Sequence, residues 1–129
     1  MYKRQHQYNV FSVNTPMQHG LAAHMADPAP YLELPAFYQR KRDLFRDGLA
    51  NSRFTLLPSD GTYFQCVRYD AISGQSESEF AQWLTREIKV AAIPVSAFYS
   101  TPTESRIVRF CFAKKDETLA LALERLALV

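Results

Sequence analysis

RIVRFCFA, residues 106–113, reads as a β-strand with two unlike faces. Side chains alternate along a strand, so Val108, Phe110 and Phe112 share one face and Ile107, Arg109, Cys111 and Ala113 the other. The first face is wholly apolar and belongs against a core. The second is apolar except for Arg109. A cation flanked by apolar neighbours is either solvated on the open side of an antiparallel sheet or kept for an anion. Strand chemistry alone leaves both readings open.

Outward from this strand, the rest of the chain falls into short elements. Downstream, Asp116 is placed to cap a last helix whose Leu119, Ala122, Leu123 and Leu126 face inward. Upstream, residues 95–105 read as a loop with one extended patch, and VAAIP (90–94) as a short strand interrupted by Pro94. Ser76 to Lys89 carries the clearest helical signal. Ser76 and Glu79 form an S-x-x-E capping box, and Phe80, Trp83, Leu84 and Ile88 make an apolar stripe. TYFQCVRYD (62–70) is rich in aromatic and β-branched residues and reads as a strand. RFTLLP (53–58) reads as another, with SDG (59–61) turning between them.

A long helix is expected from Tyr31 to about Ala50, with Leu34, Tyr38, Phe45 and Leu49 at near-helical spacing and Pro35 tolerated in the first turn. Its Arg40, Lys41, Arg42, Asp43, Arg46 and Asp47 read as an ordinary solvated face. ADPAP (26–30) separates it from a helix through about Met25. There Thr15 is expected as the N-cap and Pro16 as the first helical residue, after an extended FSVNTP (11–16). The first dozen residues show no clear period, and MYKRQ (1–5) does not read as the start of a domain. The order predicts an α+β fold, a small and mainly antiparallel sheet covered by helices on one side, within one domain over residues 1–129.

Composition narrows the function classes. With 47% hydrophobic residues, the chain has enough apolar side chains for a real core. A net charge of +2 supplies no electrostatic case for nucleic acid or an anionic membrane. No apolar run approaches the roughly 20 residues of a membrane span. Cys66 and Cys111 each lie within an apolar strand-like run, which suits reduced, packed thiols in a cytoplasmic protein better than a bridge.

The usual catalytic constellations are missing. His6, His19 and His24 lack metal-ligand spacing, since His19 and His24 fall on different helical faces. No G-x-S-x-G, Walker loop or G-x-G-x-x-G occurs. Lys3, Lys41, Lys89, Lys114 and Lys115 all lack the apolar setting that activates a lysine nucleophile. Arg109 remains. A guanidinium on a rigid strand offers a planar, permanently charged fork that grips both oxygens of a carboxylate.

Several stretches together resemble a known family. FSVNTPMQHGLA (11–22), LPSDGTYFQCVRYD (57–70), VAAIPVSAFY (90–99) and RIVRFCFAKKDETLALALERL (106–126) follow one another as in the C-terminal part of pyridoxal-phosphate aminotransferases of class I/II, fold type I. The subgroup resembled most handles methionine, glutamine or aromatic amino acids, including kynurenine. The resemblance runs from His6 onward. It implies that Arg109, and not Arg106, binds the substrate α-carboxylate. It implies that Tyr63 and Phe64 of GTYF (61–64) wall the site, against a competing role in core packing. IPVSAF (93–98) is similar to a loop that helps close the site. Asn14 and Thr15 of VNTP (13–16) are similar to residues that reach the cofactor phosphate across a homodimer interface, against a competing role as a helix cap.

Such enzymes are considerably longer. Their cofactor-holding lysine lies in an S-x-x-K-type segment, and no such segment occurs here. The resemblance therefore implies the small domain of a longer enzyme, without the catalytic lysine and inactive alone. Pyridoxal 5'-phosphate is its implied cofactor, and an amino acid and a 2-oxo acid are its implied substrates. The competing reading is a free-standing, non-catalytic α+β module that binds a small anion through Arg109.

Overall fold

The computed structural model describes residues 2–101 and 103–129. Residue 1 of the MYKRQ start and residue 102 of the 95–105 loop lie outside the described residues. The chain forms two compact units, one up to Leu34 and one from Pro35 onward.

The first unit holds α1 (Tyr2–Asn9), α2 (Thr15–Met25) and α3 (Ala29–Leu32), and none of these helices has a buried residue. The cap of α2 sits one residue earlier than expected. Asn14, not Thr15, is the N-cap, its side-chain oxygen accepting the Met17 N–H at 3.1 Å. Asn caps at least as well as Thr, and Pro16 remains in the first turn, where its missing N–H costs nothing. The single helix expected from Tyr31 to Ala50 is two helices, α3 and then α4 (Leu34–Leu49). The break falls at Glu33 because Pro35 has no N–H to donate to the Tyr31 carbonyl four residues back, so the first helix cannot run on through it.

In the second unit, β1 (Thr55–Leu56), β2 (Phe64–Arg68), β3 (Ile93–Pro94) and β4 (Ile107–Cys111) form an antiparallel sheet in the order β1-β2-β4-β3. All are shorter than the extended runs that encode them. β2 starts only at Phe64 because Thr62 adopts a left-handed φ of 64°. Pro94 does not interrupt β3 but ends it. Pro94 lies opposite Val108 on the sheet's edge strand, where proline's missing donor is tolerated.

Register decides the faces. Val67 lies opposite Val108 and Gln65 opposite Phe110, while Cys66 and Ile93 both lie opposite Arg109. The Val108 face is fully buried. It packs, with Tyr69 and Phe112, against Phe45 and Leu49 of α4, Phe80 of α5 (Glu77–Trp83) and Leu119 and Leu126 of α6 (Asp116–Leu126). All these helices cover the same face, as the α+β reading predicts.

The capping box at Ser76 forms in full. The Glu79 N–H reaches the Ser76 hydroxyl, and the Ser76 N–H reaches the Glu79 carboxylate at 3.1 Å. After Trp83 the helix widens into a π-turn over Leu84–Ile88 and ends at Lys89 with φ 62°. The Thr85 hydroxyl donates to the Ala81 carbonyl at 2.9 Å, a back-bond of the kind that bends helices.

Two further expectations change. Lys115, not Asp116, stands at the N-cap of α6. Asp116 is the first helical residue, where the helix dipole favours an acid, and its carboxylate pairs with Lys41 at 2.7 Å. The charged face of α4 is also only partly solvated. Lys41 donates to the Lys114 carbonyl, Arg42 to the Ser59 carbonyl, and Arg46 to the Leu57 carbonyl and the buried Gln65 side chain. These cations tie α4 to the loops at the edge of the sheet.

Candidate functional site

Arg109 sits near the middle of the sheet, on the face opposite the one that α4, α5 and α6 cover. Its strand partners Cys66 and Ile93 flank it directly, and Phe64 lies diagonally across β2. At that diagonal an aromatic ring still reaches its neighbour. The guanidinium carbon stands 3.8 Å from the centre of the Phe64 ring. A second ring, Phe98, approaches it at 4.7 Å from the Val95–Phe98 turn. Each cation–π contact contributes about 0.5–1 kcal/mol, more where water is excluded.

Among the described residues no acceptor meets this cation. Arg109 makes no hydrogen bond or ion pair among the described residues, and its Nε is buried without a partner. A groove of about 320 Å³ runs along the β4 edge between Lys89–Ile93 and α6. Its other charged lining residues, Lys89, Lys114 and Arg125, are all cations, so it brings no acid to Arg109. A buried donor without a partner costs about 1–3 kcal/mol, and a charged one more. The guanidinium thus keeps its hydrogen-bonding capacity unspent, on a preformed aromatic base. That arrangement suits a small planar anion.

The neighbours of Arg109 are chemically quiet. Cys66 and Cys111 are free and half-buried. Burial pushes the Cys66 thiol pKa up, and the Arg109 charge offsets this only in part, so the thiol is protonated rather than nucleophilic. Tyr63 is 43% exposed and is therefore not a core residue. Its ring lies 4.4 Å from that of Phe64 and 6.0 Å from that of Tyr38, extending the aromatic wall away from Arg109.

The structure brings together Arg109, Phe64 and Tyr63 of the residues expected from sequence. Asn14 and Thr15 stand at the head of α2 in the first unit, Asn14 as its cap. Two residues that shape the site were not anticipated. Phe98 lay within the expected loop IPVSAF but carried no signal of its own. Glu77 resembled any first-turn acid of a helix, and nothing local marks it as buried. Yet it is wholly buried and accepts hydrogen bonds from both ends of the loop that carries Phe98.

The chain fits a carboxylate better than it fits the cofactor implied by the resemblance. A lysine that holds such a cofactor needs an apolar, enclosed setting. Lys3, Lys114 and Lys115 are exposed, Lys41 is tied to the Lys114 carbonyl and Asp116, and the exposed Lys89 is tied to the Arg86 carbonyl. None of them has the setting of a cofactor anchor.

The sheet thus has one helix-covered face and, on the other, two arginines, of which Arg68 pairs with Asp70 and Arg109 lies against two phenyl rings. The chain belongs to the aminotransferase class I and II family, which matches residues 1–126. Methionine aminotransferase of Escherichia coli (strain K12) is 50% identical over 125 residues, covering 96% of this chain and 32% of that protein. Kynurenine–oxoglutarate transaminase 3 of Homo sapiens is 34% identical, covering 92% of this chain and 30% of that protein. The crystal structure of the Escherichia coli methionine aminotransferase superposes with a TM-score of 0.91 over 96% of this chain and 33% of its own. That of N-succinyldiaminopimelate aminotransferase from Mycobacterium tuberculosis, 32% identical, superposes with a TM-score of 0.82 over 95% of this chain and 32% of its own. The chain thus spans about a third of the length of the relatives it matches.

Proposed function

We propose that this chain is the carboxylate-binding part of an aminotransferase that moves an amino group from a methionine-, glutamine- or aromatic-type amino acid to a 2-oxo acid. One observation carries the reading: the Arg109 guanidinium is held by two phenyl rings and has no acceptor among the described residues. Both oxygens of an α-carboxylate would take its paired N–H groups, replacing the bonds the fold leaves unmade. Phe64 and Phe98 would fix the plane of the fork, and Tyr63 would line the approach. Held by that end, the substrate presents its α-carbon in one orientation, which is catalysis by positioning.

In the whole protein, pyridoxal 5'-phosphate would supply the electron sink for transfer. Its anchoring lysine would come from outside these residues, so the 129-residue chain should not turn over by itself. Asn14 and Thr15 as cofactor-phosphate contacts across a homodimer interface, and a cytoplasmic setting, belong to the same proposal.

The test is titration of the chain with L-methionine and with pyruvate, followed by NMR. Both ligands should saturably shift the backbone amide resonances that surround Arg109, those of Cys66 and Phe110, and Arg109→Gln should abolish the response. Equal binding by wild type and variant, or a wild type blind to both ligands, refutes the assignment.

A further inference from the structure

Phe98 is 61% exposed and stands on a short turn, so its own burial does little to hold it against Arg109. The hold comes from Glu77. This wholly buried carboxylate accepts the Ser96 N–H on Oε2 at 2.6 Å. Its Oε1 accepts the Ser105 N–H at 3.1 Å, the Ser105 hydroxyl at 2.8 Å and the Ile107 N–H at 3.0 Å. One side chain thus joins the start of the Phe98 turn to the start of β4. Between Ser105 and Ile107, Arg106 adopts a left-handed φ of 55°, a conformation that costs a non-glycine residue about 1 kcal/mol or more. The bend aims two main-chain N–H groups at one oxygen, an anion-holding concavity.

The backbone spacing links this knot to the site. Phe98 lies two residues beyond Ser96, and Arg109 two beyond Ile107. We propose that Glu77 is a positioning residue of the carboxylate site, holding the Phe98 ring against the Arg109 guanidinium and so fixing the plane of the fork. The proposal rests on the reading of Arg109 as the carboxylate ligand. Glu77 touches neither substrate nor Arg109 directly. Its charge is secure: burial pushes the carboxyl pKa up, but the hydrogen bonds from Ile107, Ser96 and Ser105 outweigh this and bring it below the ordinary carboxylate range.

The chemistry makes the consequence of a substitution specific. In Glu77→Gln the amide oxygen is best used on the side with three donors, from Ser105 and Ile107. The NH2 then faces the Ser96 N–H, donor against donor, and only the Phe98 end is released. Glu77→Asp keeps the charge but is a methylene shorter, so it spans the two sets of donors poorly.

The experiment reads the Arg109 Nε–Hε resonance by NMR in the full 129-residue chain. The Phe64 and Phe98 rings should displace it in wild type. Phe98→Leu removes the Phe98 part of that displacement. Glu77→Gln should move the resonance to the Phe98→Leu position, leaving the methyl signals of Val67 and Val108 in place, and Glu77→Asp should move it part of the way. Pyruvate affinity should fall several-fold in Glu77→Gln and in Phe98→Leu, and by no more in the double variant, as expected of residues acting through one contact. Should Glu77→Gln fail to fold, Glu77→Asp provides the same two readings. A resonance that responds to Phe98→Leu but not to the Glu77 variants overturns the proposal. Additive losses in the double variant overturn it too. A wild-type resonance displaced by the rings but unmoved by pyruvate instead removes the carboxylate reading itself, and so separates the two failures.

Discussion

The guanidinium carbon of Arg109 rests 3.8 Å from the centre of the Phe64 ring, with no acidic partner among the described residues. An ion-paired arginine is already satisfied; this one is supported and left open. Lysine at the same place would keep the charge but lose both the paired donors and the flat face that lies on the ring. In the whole protein, Arg109→Lys should lower kcat/KM for amino transfer by about a hundredfold, the scale of one lost bidentate charged contact. Steady-state kinetics with L-methionine as donor would measure this, and unchanged kinetics would remove Arg109 from the site.

The same openness predicts a stability effect of the opposite sign. The buried Nε finds no acceptor, and the neighbours Phe64, Ile93 and Cys66 are largely apolar. Methionine fills a comparable space without an unpaired donor. Arg109→Met should therefore raise the stability of the 129-residue chain, by about 1 kcal/mol once the lost cation–π contacts are set against the relieved donor. Urea denaturation gives the answer. A clearly lowered midpoint would mean that Arg109 is kept for structure rather than for a ligand.

The head of α5 supports the Glu77 knot, because Ser76 caps the helix on which Glu77 is the first residue. Ser76→Ala removes the hydroxyl that accepts the Glu79 N–H and should cost about 1 kcal/mol. The urea midpoint should fall while the slope of the transition stays the same. A neutral substitution would show that the Glu77 bonds alone hold this end of the helix.

Two buried groups set opposite pH limits. The Glu77 carboxyl is held below its ordinary range, so its stabilising effect is complete above the unfolded carboxyl pKa and is lost as pH falls through the lower folded value. Glu77→Gln should flatten the acid limb of the stability curve. Tyr69 is pushed up to about 12, first by burial and then by the charges of Glu77 and Glu104, with Arg106 opposing. Its hydroxyl donates to the Gln75 carbonyl at 3.0 Å. Its contribution is complete below the unfolded pKa near 10 and is lost as pH rises through about 12. Tyr69→Phe should weaken the alkaline limb only. Stability measured against pH in the wild type and both variants tests the signs, and an acid limb unaltered by Glu77→Gln contradicts this account.

Local pattern in the chain specified a good deal. Alternation at Val108, Phe110 and Phe112 identified the buried face, the same alternation put Arg109 on the other, and Ser76 with Glu79 marked the start of α5. Such signals lie within a few residues, where strand alternation and capping chemistry act. Even so, they slipped by one residue at Asn14, which caps at least as well as Thr15, and at Lys115, which holds the N-cap position by backbone conformation alone, without a side-chain bond. What the tertiary structure alone decided is set by contacts between distant residues. Glu77 and Ile107 are 30 positions apart, yet they share a hydrogen bond that makes an ordinary-looking first-turn acid the buried anchor of a loop. Lys41 meets Asp116 from 75 positions away, which turns part of a face read as solvated into a tie between helices. Phe98 gains its place over Arg109 only because the fold closes these distances. A charge's neighbours in space, not those in sequence, determine whether it is solvated, paired or left open for a ligand.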